Sequence, residues 1–381
     1  MIDHTITQEG FSFHTFEMSK SITRDEYQQI KDSIFDFAKE EKHRAFSEGN
    51  CLISEKYKPY GIIIKLFNNS DKPPHLQLRV NPRLACAEKS YVGIFHCTEE
   101  NIETVKAVIN RILTDMNTGY DFNGMTVSRI DLCVNLEMDQ YYLDAYMRLI
   151  CKCKLPESYR RIGFIRDEPD FKEKNKRSFR AANKDVQFTI YDKKFQVAEE
   201  GLFYFDMPVE NGLIRFEVSL KRDAIYRNNE YFRLQFADNS NFLWVYGMLS
   251  RKIIEKYICK FFPKGIYASY ERTKAAVRNA SFPNKTKVLM LDLLKATSEH
   301  ESLFNAIRDV KFMYPKPNKF DLKLNRILKN FERLNYNPVT TLGETLPGIR
   351  ELLGFTDGIN QEGRSKFDVH SAGLQTENVE N

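Results

Sequence analysis

The sequence predicts an α+β protein in which a largely antiparallel sheet carries helices on one face and a basic helical region follows it. Three observations point there. Short segments with strict apolar–polar alternation recur through roughly the first 240 residues. Helical patterns with N-terminal capping signals stand between them. After about residue 242 the alternation gives way to helical segments rich in Lys and Arg.

Residues 11–18 read as a strand. Thr23 with Glu26 is a capping-box pattern, in which each side chain serves the other's backbone N–H, and a helix is expected from there to about residue 41. Segments 51–55 and 60–67 read as strands, the run NNSDKPP at 68–74 is a turn signal, and 75–81 is the next strand. Thr98 caps a helix whose first residues, Glu99 and Glu100, suit the positive end of its dipole, and which ends near Gly119. A strand at 126–136 and a helix at 140–152 come next. The polar, basic stretch 156–185 interrupts the pattern and reads as a long loop or arm. Strands resume at 186–193 and 213–220. Helices are expected at 242–260, 285–297, 299–312 and 319–334, with a short one after Pro347. The tail, 356–381, has few large apolar residues and is expected to be disordered. The resulting division is a sheet domain over 1–245, a helical domain over 246–355, and the tail.

Composition narrows the function classes. Of 381 residues 42% are hydrophobic and 13% aromatic, a load that requires folded cores and leaves room for two domains. No apolar run approaches the roughly 20 residues a membrane helix needs, and the first residues lack the basic start and apolar stretch of a signal peptide. The seven cysteines include a C-x-C at Cys151 and Cys153 but no second pair at zinc spacing, so reduced thiols in a cytoplasm are expected. Net charge is only +5, but residues 251–336 hold 19 Lys and Arg against 8 Asp and Glu, and residues 151–185 hold 11 against 6. Clustered positive charge suits a polyanion such as nucleic acid, and it also suits an ordinary solvated surface.

The chemistry lies in the alternation. Successive strand side chains face opposite ways. Ile130, Leu132, Val134 and Leu136 share one face of their strand, with Arg129, Asp131, Cys133 and Asn135 on the other. Ile214, Phe216, Val218 and Leu220 oppose Arg215, Glu217 and Ser219; Val186, Phe188 and Ile190 oppose Gln187, Thr189, Tyr191 and Lys193; Leu76, Leu78 and Val80 oppose His75, Gln77, Arg79 and Asn81. A one-sided antiparallel sheet produces such patterns by itself. These particular residues, gathered on one surface, would also equip it for phosphodiester chemistry. Asp131 and Glu217 are natural ligands of Mg²⁺ or Mn²⁺, with His75 and Gln77 as additions. Tyr191 is a candidate covalent nucleophile, and Lys193 a cation beside it. Arg129 and Arg215 suit phosphate oxygens. Taken singly, Tyr191 also reads as a half-buried sheet tyrosine, the Arg–acid pairs as cross-strand ion pairs, and His75 as a surface histidine.

Three segments carry a resemblance: TVSRID at 126–131, FTIYDK at 188–193 and GLIRFE at 212–217, with a weaker one in the strand from His75 that ends in NPR. In order and spacing they resemble the rolling-circle replication initiators of filamentous phages and plasmids (the gene II type), and more distantly plasmid initiators and conjugative relaxases. The resemblance covers roughly residues 60–225. It implies a fold related to the HUH endonucleases with permuted strand order, and nicking of an origin with the 5′ phosphate carried on Tyr191. It also implies Asp131 and Glu217 as metal ligands, and a freed 3′ hydroxyl that primes synthesis before the displaced strand is rejoined. The usual His-hydrophobic-His motif is absent, and His75-Leu-Gln77 is the nearest arrangement. The expected partners are origin DNA and a host helicase, with no membrane. In the arm, Arg160, Arg161, Lys176, Arg177 and Arg180 are candidates for gripping the nicked strand. The alternatives are a mobilisation relaxase, a nuclease using the same carboxylates to activate water, and a non-catalytic module stacking single-stranded bases on exposed aromatics.

Overall fold

The computed structural model describes residues 4–40, 45–69, 71–88, 92–163, 171–201, 211–300, 302–315 and 317–355. Within them ten strands form one sheet: β1 (His4–Ser21), β2 (Ala45–Glu48), β3 (Cys51–Ser54), β4 (Ile62–Phe67), β5 (His75–Val80), β6 (Thr126–Asp139), β7 (Arg160–Arg161), β8 (Ser178–Ala182), β9 (Val186–Asp192) and β10 (Asn211–Lys221). Their order is β2-β3-β4-β5-β1-β6-β10-β9-β8-β7. Every neighbouring pair is antiparallel. The fold is therefore α+β on an antiparallel sheet.

The alternation sorts the two faces as the sequence implies. Ile130, Leu132, Val134 and Leu136 of β6 are fully buried, as are Ile214, Phe216, Val218 and Leu220 of β10. They pack beneath helices Gln140–Cys151 and Asn239–Phe261, the second of which also packs on helix Glu99–Asp115. Burying one such Val, Leu, Ile or Phe side chain is worth about 1.5–3 kcal/mol, so this face anchors the sheet. The capping signals form as expected: the Thr23 N–H donates to Glu26 Oε2 at 2.6 Å, the Glu26 N–H to Thr23 Oγ1 at 3.2 Å, and the Asn101 N–H to Thr98 Oγ1 at 3.2 Å.

Several elements depart from the sequence reading. The stretch 156–185 is not simply a loop: it adds β7 and β8 to the sheet edge and includes helix Phe171–Lys176, with 164–170 outside the described residues. Phe179 and Ala181 are the core-facing residues of β8, an alternation too short to stand out among the surrounding cations. The boundary expected at 245 falls inside the 23-residue helix Asn239–Phe261, which packs on β1, β6 and β10. One apolar core continues from the strands into helices Asn284–Glu299, Leu303–Met313 and Phe320–Arg333, so the core has no break there. Helices are not confined to one face either. Lys193–Glu199 lies over the polar face, where Val197 packs with Leu213 and Val92 in a small separate cluster. Helices Arg222–Phe232 and Tyr270–Asn279 were not expected; both are short and carry few buried residues. The tail 356–381 lies outside the described residues. No described helix is long and apolar enough to cross a membrane.

Candidate metal centre and nucleophile

The polar face is densest where β1, β6, β10 and β9 lie side by side. On β6, Asp131 sits opposite Ser219 of β10, and Cys133 sits opposite Glu217, so the two carboxylates are diagonal neighbours. On the other side of β6, Phe13 of β1 pairs with Leu132 and Thr15 pairs with Asp131, leaving His14 as one extra residue between them. Such a bulge bends the strand and re-aims a side chain. It also explains the pattern of β1, whose apolar residues change phase between Phe13 and Phe16. The bulge puts His14 beside both acids.

Ligand atoms of His14, Asp131 and Glu217 all lie within 4.8 Å of one another. His14 Nε2 is 3.6 Å from Glu217 Oε2, while its buried Nδ1 has no hydrogen-bond partner. Burial pushes the imidazole pKa below its ordinary value, against the pull of Glu217, and so favours the neutral form a metal requires. Burial also opposes ionisation of Asp131, but the Arg129 guanidinium, His14 and the Thr15 hydroxyl outweigh it and hold the carboxyl below its usual range. Two carboxylates and an imidazole with an unsatisfied nitrogen could hold a divalent cation. The surrounding groups orient the acids as outer-shell partners do. Arg129 Nε donates to Asp131 Oδ1 at 2.7 Å, Thr15 Oγ1 donates to Asp131 Oδ2, and an Arg129 amine donates to Ser219 Oγ at 3.1 Å.

Tyr191 of β9 is half-buried beside this cluster, and its hydroxyl donates to Glu217 Oε2 at 3.2 Å. Burial and then Glu217 push the phenol pKa well above its ordinary value, with Arg215 partly offsetting them. Lys193 is not a strand residue. It opens helix Lys193–Glu199, N-capped by Asp192, and its Nζ lies 5.9 Å from the Tyr191 ring centroid and donates to Gln196 Oε1 at 3.0 Å. Burial, reinforced by the Arg215 cation, lowers its pKa to about 7.

The remaining expected residues separate. His75 and Gln77 stand on β5, with β1 between them and β6. His75 stacks on Phe67 at 4.3 Å, and Gln77 donates to Glu17 at 2.8 Å; the structure brings neither to the cluster. Arg215 is 1% exposed, which does not suit an open phosphate contact. Its guanidinium donates to Asn135 Oδ1 at 2.7 Å and to the Val92 and Gly93 carbonyls at 2.5 and 2.9 Å, tying that segment over the sheet. Arg177 is engaged with Asp192 at 2.8 Å and Asp144 at 3.5 Å. Arg160, Arg161 and Lys176 are exposed, and Arg180 is half-buried on β8. The residues the sequence reading missed are His14 and its neighbour Thr15, and the signal that could have found them is the phase change along β1. No protein-family model matches the chain, and no curated protein matches it significantly in sequence.

Proposed function

We propose that the protein is a metal-dependent DNA-nicking and strand-joining enzyme that initiates rolling-circle replication through a 5′-phosphotyrosine on Tyr191. The observation that carries this reading is the tyrosine hydroxyl hydrogen-bonded to one member of a His14–Asp131–Glu217 cluster. A bound Mg²⁺ or Mn²⁺ would neutralise the scissile phosphate and polarise its oxygens. The Tyr191 oxygen forms a bond to phosphorus as the bond to the 3′ oxygen breaks. The phenolic proton has an acceptor in Glu217, and Lys193, near half-protonated at neutral pH, can supply a proton to the leaving 3′ oxygen and take it back on joining. A permuted HUH-type strand arrangement and a role for the basic helices after residue 246 in holding duplex origin DNA belong to the same proposal, as do a cytoplasmic setting and a host helicase as partner.

The test is a nicking assay on supercoiled DNA of the parent replicon with Mg²⁺ or Mn²⁺, followed by denaturation. Wild type should relax the DNA and leave a denaturation-resistant protein–DNA adduct. Tyr191→Phe should form no adduct. Nicking that persists in Tyr191→Phe would make the cluster a water-activating nuclease site, and an inert wild type would leave a non-catalytic binding module.

Arg129 gives an independent check on the metal. Arg129→Ala leaves all three ligands in place but removes the group that aligns Asp131. It should weaken Mn²⁺ binding on the order of 10–100-fold, the range for outer-shell partners, measured by titration of the purified protein.

A further inference from the structure

The strand register lays two rows of polar side chains across the sheet, from the metal cluster toward the β7 edge. In the first, Glu217 of β10 faces Thr189 of β9, which faces Arg180 of β8. In the second, Asp131 of β6 faces Ser219, which faces Gln187, then Ala182, then Arg160 of β7. Phe179 and Ala181 are buried in the core, so Arg180 and Ala182 share the face of Tyr191 and Glu217. With neighbouring strands about 4.8 Å apart, Arg180 stands about 10 Å from Glu217, and Arg160 about 19 Å from Asp131, as measured along the sheet.

We infer that a single DNA strand lies along these rows, running from the metal cluster to the β7 edge with Arg180 and Arg160 as successive phosphate contacts. The inference rests on the nicking reading only for the identity of the ligand at the cluster. Between the acids and the cations lie Thr189 and Ser219, both buried beneath longer neighbours that hydrogen-bond to them (Gln187 and Arg129), and the half-buried Gln187 and Ala182; all are neutral, so no carboxylate stands between the cluster and the two arginines to repel a phosphodiester. In the opposite direction, the first acid past His14 on this face is Glu17 of β1, paired across from Arg129. The Oγ of Ser178, directly across from Tyr191 on β8, is buried and has no hydrogen-bond partner, which leaves a donor beside the nucleophile for a phosphate oxygen.

Arg161 supplies the contrast. It pairs with Ala181 and so belongs to the other face. Its guanidinium lies over the Phe179 ring at 5.5 Å and donates to the Cys151 carbonyl at 2.9 Å. Two adjacent, exposed arginines therefore carry opposite expectations.

The experiment is fluorescence anisotropy of a labelled oligothymidylate with the full chain in EDTA, across a series of salt concentrations. Arg160→Ala and Arg180→Ala should each weaken binding several-fold and reduce the slope of log affinity against log salt by about 0.7, the value for one phosphate contact on a single strand. Arg161→Ala should change neither. Arg180→Lys, which keeps the charge and guards against a folding defect, should restore the slope. The track is overturned if Arg161→Ala loses as much as Arg160→Ala, or if neither Arg160→Ala nor Arg180→Ala changes the slope. Adduct formation measured on the same proteins separates the two proposals. Normal adducts with an unchanged slope remove the track alone, and the expected slopes without any wild-type adduct remove the nicking reading alone.

Discussion

Replacing His14 with alanine should abolish metal-dependent nicking, whereas the same change at His75 should leave it within a few-fold of wild type. Both histidines lie on strands that feed the polar face, but only His14 has a ligand nitrogen within reach of Asp131 and Glu217. His75 is committed to a ring stack on Phe67. Loss of a direct ligand should exceed the 10–100-fold that outer-shell changes cost, so Mn²⁺ affinity in His14→Ala is expected to fall by about 100-fold or more. The hole left is small, because His14 is partly exposed at 19% of its side-chain surface, and the protein should remain folded. Circular dichroism checks the fold, and metal titration with the nicking assay checks the site. If His75→Ala were the variant that lost metal, the metal would not sit between His14, Asp131 and Glu217.

That contrast marks how far the sequence could be read. Asp131, Glu217 and Tyr191 were legible because each sits within a run of several clean alternations, and period-two patterning assigns a face without any knowledge of neighbours. His14 was not legible in the same way. Its strand carries an inserted residue, and a bulge reverses the assignment of faces on either side of it. Counting forward from Phe11 and Phe13 places His14 on the polar face, but counting back from Phe16 and Met18 places it on the apolar one. The strand of His75 alternates cleanly and so offers the more legible histidine, although strand order, which local patterning does not encode, puts β1 between it and the acids. Arg215 illustrates a different limit. The alternation placed it on the polar face correctly, but the face is not open there: Val92 and Gly93, from a segment more than a hundred residues away in sequence, cover it and take up its hydrogen bonds. Strand β8, next to the β7 edge, was hidden by composition, since only two of its five residues are core-facing while cations dominate its flanks.

Lys193→Met should make the protein more stable and less active at once. An ordinary lysine holds its proton up to a pKa of 10.5, whereas burial lowers that of Lys193 to about 7. Between those pH values the unfolded chain binds a proton that the folded chain has shed, so stability rises with pH across the window. Below about pH 7 both states are protonated and the full penalty of the buried ammonium applies; above 10.5 it is gone. At 8% exposure the side chain has little solvent screening, and the penalty at neutral pH and below is on the order of 3–5 kcal/mol. Methionine fills a similar volume without the charge, giving up the bond to Gln196. Melting curves in EDTA should therefore show Lys193→Met more stable than wild type at pH 7, with the difference shrinking by pH 10. Nicking should fall by about 100-fold or more, the usual contribution of a positioned acid–base group. A lysine kept for structure would behave the other way: its removal would lower the melting temperature, and activity would decline only with the folded fraction. Stability gained together with activity lost is the signature of a strained functional group, because only its chemistry would favour keeping a buried amine beside a half-buried phenol.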